Sequence, residues 1–141
     1  MIVYFDTSAF VPLLVMEPSS DARQRLWDEA DDVVATRLLY VECAAALAQA
    51  LRLGRLTARE HRATLRILDR LWSELAVAEL DQPLVSRAAE LAYDHALRGY
   101  HAVHCAAAEQ LDNGDLVVAS GDQKLLQACA SLGLTTANVK S

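Results

Sequence analysis

No stretch of this 141-residue chain is apolar for long enough to cross a membrane, and no basic segment with a cleavage site opens it. A soluble, cytoplasmic protein is the expectation. Cysteine is scarce: Cys43, Cys105 and Cys129 are odd in number, far apart and set among Ala and Leu, which excludes a disulfide framework and suits buried thiols. Only five glycines and three prolines occur, so there is no flexible linker, no low-complexity segment and no glycine-rich phosphate loop. Positive charge is also short. Thirteen Lys and Arg stand against nineteen Asp and Glu, a net charge of −6, which argues against a general nucleic-acid coat.

What is present is a large apolar fraction, 53%, enough for a folded core in a single domain spanning residues 1–141. The charge is uneven. Residues 51–70 carry six arginines against Glu60 and Asp69, about +4 locally, leaving −10 elsewhere. Arg59, Arg62, Arg66 and Arg70 recur at three- and four-residue steps and line one helix face. A solvated face explains them most simply; contact with RNA or an acidic partner is the sharper alternative.

Helical and strand patterns alternate along the chain. Ile2–Phe5 reads as a buried strand, followed by an apolar helix ending near Pro18, a helix from Ser20 to Ala30, and a short strand at Val33–Ala35. Thr36 is placed to cap a helix over Leu38–Leu53, which Gly54 ends. Thr57 and Glu60 form a capping box for a helix reaching Leu75. Ala76–Leu80 is a weak strand, and Asp81 caps a helix over Gln82–Leu97 that Gly99 breaks. A helix at His101–Leu111, a strand at Leu116–Ala119, a helix from Asp122 to Gly133 and an edge strand at Leu134–Ala137 complete the pattern. The alternation predicts an α/β fold of three layers with a central parallel sheet.

Two strands end alike. The first runs into Asp6-Thr7-Ser8 and the LVVA strand into Ser120-Gly121-Asp122, so both acids fall on the carboxyl edge, where open α/β sheets place their chemistry. Asp is also a good helix cap, which is the plainer explanation for either one alone. Glu42 lies in LLYVECAAALA, almost without polar neighbours, and a buried carboxylate there needs a partner such as Arg37 or Arg98, or an exposed edge. Glu90, with Arg87 three residues before it, is an ordinary solvated acid by comparison. Asp6, Glu42 and Asp122 together suit a hard cation, Mg²⁺ or Mn²⁺, of the kind that assists phosphodiester hydrolysis.

FDTSAFVPLLVMEP, TRLLYVECAAAL, ALRGYHAVHCAAA and LVVASGDQKLL, in that order, resemble the motifs of PIN-domain ribonucleases, specifically the VapC-type toxins of toxin–antitoxin modules. The resemblance implies a PIN-like fold, a Mg²⁺ or Mn²⁺ cofactor, endonucleolytic cleavage of RNA, homodimerisation, and a hetero-oligomer with an inhibitory antitoxin. It makes Asp6 the first acid, Glu42 the second and Asp122 the last, with Ser120 as the preceding hydroxyl and Ser8 orienting Asp6. The third acid is missing: His101 stands where an aspartate is expected. Neither Asp94, on another helix, nor Asp115, before its strand, substitutes for it. His101 either ligates metal through nitrogen, shifting preference toward Mn²⁺, or marks a weakened domain that binds RNA or protein in a regulatory role. A zinc site from His101, His104 and Cys105 lacks a fourth ligand, and His104 reads as a packing or helix-start residue. A phosphoacceptor domain is set aside, because Asp6 has no paired acid and Lys124 lies within a helix.

Overall fold

The structure, a computed structural model, describes residues 1–15 and 20–140. In chain order it runs β1 (Ile2–Phe5), α1 (Thr7–Val15), α2 (Ser20–Glu29), β2 (Asp32–Thr36), α3 (Leu38–Arg52), α4 (Ala58–Trp72) and β3 (Ala76–Ala78). It continues α5 (Gln82–His95), α6 (Gly99–Leu111), β4 (Leu116–Ser120), α7 (Gln123–Ser131) and β5 (Thr135–Asn138). The five strands form one parallel sheet in the order β3-β2-β1-β4-β5.

The alternation of side chains along β1 divides the core in two. Tyr4 points to one face, with Val34, Val118 and apolar residues of α5, α6 and α7. Val3 and Phe5 point to the other, with Ala35, Ala119 and residues of α1, α3 and α4. The strands read as continuous apolar runs because helices cover both faces. The expected three layers and parallel sheet are present.

Several local expectations change. Thr36 is the last residue of β2, fully buried and paired with Ala78, so Arg37 takes the cap position of α3 with no side-chain cap. Helix α4 ends three residues early, at Trp72. Its capping box forms in full: Thr57 accepts from the Glu60 N–H at 3.1 Å, and Glu60 accepts from the Thr57 N–H at 2.8 Å. Helix α5 stops not at Gly99 but at Ala96, which adopts a left-handed φ of 53°, and Gly99 instead opens α6. The stop near Pro18 lies outside the described residues.

The connections leave β1 toward β2 on one side, while β4 joins it on the other, so the strand order reverses between β1 and β4. Crevices at such reversals, beyond the carboxyl ends of the strands, are where open α/β sheets bind ligands. Asp6 and Asp122 stand at that crevice.

Candidate active site

Asp6 leaves β1 and begins α1 with the same carboxylate. Its Oδ1 accepts the Ala9 N–H at 3.0 Å, an N-cap bond, and the Ser8 hydroxyl at 2.8 Å. Its Oδ2 accepts the Ser120 hydroxyl at 2.6 Å. Each serine has one proton and gives it to Asp6, while its oxygen accepts a backbone N–H. Gly121 donates to Ser8 at 2.8 Å and Asp122 donates to Ser120 at 2.9 Å. The result is a closed ring joining the ends of β1 and β4, with Asp6 only 2% exposed.

Asp122 repeats the design. Its Oδ1 caps α7 through the Leu125 N–H at 2.9 Å, and its Oδ2 lies 3.7 Å from His101 Nε2. Both acids therefore sit at helix N-termini, whose partial positive charge favours carboxylates. Capping and placement in the crevice are one arrangement, not rivals.

Glu42 comes from α3 across the cleft. Its partners are neither Arg37, which pairs with Glu79, nor Arg98. The Thr7 hydroxyl donates to Oε1 at 2.9 Å, and His104 Nε2 meets the same oxygen at 2.8 Å. On the other side of the ring, His104 Nδ1 meets the Tyr4 hydroxyl at 2.6 Å. Burial, with the charges of Asp6 and Glu42 adding to it, holds the Tyr4 phenol well above its usual pKa. Tyr4 keeps its proton and donates it to Nδ1, so Nε2 carries the ring hydrogen and donates to Glu42. The expectation that His104 merely packs or starts its helix is therefore corrected: at 1% exposure it orients an acid.

Asp6, Glu42, His101 and Asp122 line one cleft of about 760 Å³, with Ser8 on its wall. Ser120 is fully buried just beneath. Cys105 turns away, its sulfur 3.7 Å from that of Cys129 in the core, which removes it from any zinc set with His101 and His104. Burial foremost, with Glu42 and Asp6 adding, pushes the Cys43 thiol up to about 12, so it remains protonated. Asp94 is exposed on α5, and Asp115 bonds the Ile2 N–H at the opposite edge of the sheet; neither joins the cleft. Sequence reasoning gave His104 only a packing or helix-start place and assigned no site role to Thr7, Tyr100 or Lys140, nor to Arg52 in this cleft, yet all line its wall. Arg52 had a signal: Glu42, Ala45, Ala46, Gln49 and Arg52 follow helical spacing along one face of α3.

The donor chemistry fits a hard cation. Three carboxylates open onto one cleft, and the second oxygen of Glu42 carries no protein hydrogen bond among the described residues. No three ligand-type side chains among those residues converge tightly enough to cage an ion unaided.

Residues 3–130 match the family model of the PIN domain. Ribonuclease VapC45 of Mycobacterium tuberculosis is 40% identical over 136 residues, covering 96% of this chain and 94% of its own. Among solved structures, PAE2754 from Pyrobaculum aerophilum superposes with a TM-score of 0.72 at 24% identity, covering 96% of this chain and 89% of that one. VapBC2 from Rickettsia felis, bound to a DNA fragment from its promoter, gives 0.66 at 11% identity over 97% and 98% of the two chains. These two likenesses concern the fold. The matched model and the 40% identity carry the assignment, and the chain belongs to the PIN-domain family, among its VapC-type members.

Proposed function

We propose that the protein is the toxin of a toxin–antitoxin pair, an endoribonuclease that hydrolyses RNA phosphodiester bonds with a divalent cation held by Asp6, Glu42 and Asp122. One observation carries this: acids from the ends of adjacent strands β1 and β4 share a cleft at the strand-order reversal with a third acid from α3. Membership beside a ribonuclease, and a fold shared with a DNA-bound VapBC complex, support the activity and an antitoxin partner.

Three carboxylates alone would repel a phosphodiester, so the acidic cleft works on RNA only with a cation between the two. When bound, Mg²⁺ or Mn²⁺ would acidify a water and stabilise charge on the leaving oxygen. The chain supplies position. The serine ring fixes both oxygens of Asp6, and the cap bond fixes one oxygen of Asp122. Thr7 and His104 hold Oε1 of Glu42, leaving Oε2 for the cleft. In the hydrolysis a water oxygen bonds to phosphorus while the bond to the ribose oxygen breaks, and that oxygen leaves with a proton.

His101 supports a second reading, a PIN domain that binds but cleaves weakly, because nitrogen replaces a hard oxygen beside Asp122. RNA cleavage rates for wild type, Asp6→Asn and His101→Asp, each with Mg²⁺ and with Mn²⁺, decide between them. We expect the wild type to favour Mn²⁺, Asp6→Asn to be inactive with either ion, and His101→Asp to gain Mg²⁺-dependent activity. Undiminished cleavage by a folded Asp6→Asn protein overturns the metal role. RNA binding without cleavage by both wild type and His101→Asp selects the binding reading.

A further inference from the structure

We infer that the Tyr100 and His101 rings form a stacking platform for an unpaired RNA base beside the acidic cleft, with Arg52 and Lys140 holding phosphates of the same strand. The inference rests on the ribonuclease reading and adds to it the side chains that take the base and the flanking phosphates.

Tyr100 opens α6 and is 41% exposed, the one large exposed apolar side chain on the described surface that also lines the acidic cleft. Its ring centroid lies 4.2 Å from that of His101 at an interplanar angle of 46°, and His101 is in turn held beside Asp122. The Tyr100 hydroxyl has no hydrogen-bond partner among the described residues, so no polar contact within the fold accounts for its place. The approach is open: a Cβ built on the neighbouring Gly99 meets nothing within 4 Å. An aromatic face left free at the mouth of a nuclease cleft is the feature by which single-strand binders take a base, and it works only when that base is unpaired.

Besides the buried Arg23, two cations lie on the same cleft wall. Arg52 ends α3, ten residues beyond Glu42, which places it roughly 15 Å along the helix from that acid. That separation suits a neighbouring phosphate, not the one being cut. Lys140 is held over the end of β4. The buried Val139 donates its N–H to Ser120 at 3.0 Å, and the lysine stem crosses Gly121 so closely that a Cβ there would sit 3.1 Å from Cγ and Cε. Gly121 thus makes room for a cation next to Asp122. Neither Arg52 nor Lys140 has an ion-pair partner among the described residues, although the chain carries a net −6 and three acids line their cleft. Polyanionic substrate would supply what the protein does not.

Fluorescence anisotropy of the full chain carrying Asp6→Asn, with a fluorescent unpaired oligoadenylate and with the same strand annealed to its complement, tests this. We expect tighter binding of the single strand. Tyr100→Leu should weaken it about tenfold and Tyr100→Phe should restore it, as stacking requires. Arg52→Gln and Lys140→Gln should each lower the slope of log affinity against log salt by roughly one. In the protein with Asp6 intact, Tyr100→Leu should raise KM and leave kcat in place. Equal affinity for duplex, equal losses in the Leu and Phe variants, unchanged binding by Tyr100→Leu, or no binding of either probe overturns the platform. If binding follows the pattern but the wild type cleaves no RNA, the platform stands and the nuclease reading falls.

Discussion

Ser8 and Ser120 each give their single hydroxyl proton to Asp6, while Tyr4, His104 and Glu42 form a second chain in which every donor has a direction. Changes inside that second chain have calculable consequences. His104→Phe leaves the Tyr4 hydroxyl buried without an acceptor and should cost about 1–3 kcal/mol of unfolding free energy. Tyr4→Phe leaves Nδ1 unpaired instead. The double variant removes both ends of the bond, so its loss in urea unfolding should be smaller than the sum of the two single losses. Additive losses would mean that the two groups do not communicate. Glu42 was legible in the sequence as an acid in need of a partner, but the partner was not. Arginines are the obvious candidates by charge; the actual partner is a ring 62 residues away, and no local spacing reveals which helix faces which.

At the scale of elements, side-chain chemistry decides the boundaries more firmly than periodicity does. The Thr57–Glu60 capping box and the Asp81 and Asp122 caps were legible because each is a local pattern with a local bond. Thr36 looked equally like a cap, yet pairing with β3 keeps it in the strand, a tertiary choice invisible to its neighbours in sequence. Helices α5 and α6 are clamped by Arg87, whose Nε and Nη2 bond both oxygens of Glu109 at 2.7 and 2.9 Å, with Glu90 as a weaker second partner at 3.1 Å. The hydrogen bonds from Arg87 hold the Glu109 carboxyl below its usual pKa of 4.5. A carboxylate depressed in the folded state stabilises above its unfolded pKa and loses that contribution as pH falls through the folded one. Stability should therefore decline below about pH 4.5. Glu109→Gln should cost about 1 kcal/mol near neutrality and make that acid decline shallower. Equal pH profiles for the two proteins in thermal unfolding would show that the clamp contributes nothing.

Across the whole molecule, the alternation of patterns was enough to foresee a parallel sheet between helices, but not its strand order, since every parallel connection looks alike in sequence. Strand order is what turned three acids far apart in the chain into one cleft. It also sets the arginines of α4 apart from the acids: Arg59, Arg62, Arg66 and Arg70 are all exposed and lack ion-pair partners among the described residues. Reversing Arg59 and Arg66 to Glu should change stability by no more than about 0.5 kcal/mol. The same change should weaken association with RNA or an antitoxin and flatten its dependence on salt. Unchanged affinity and slope for both would leave the face as solvated surface.

The serine ring has a consequence in time as well as in space. It joins residues 6 and 8 to residues 120–122, and the backbone of Val139 closes over Ser120. During synthesis Asp6 precedes the partners that shape its surroundings by more than a hundred residues. Half-made or prematurely terminated copies lack Ser120, Asp122 and the central pairing of β1 with β4. A cleft built this way is assembled only after synthesis has passed residue 122; until then Asp6 stands without the β4 hydroxyl and backbone that shape its surroundings.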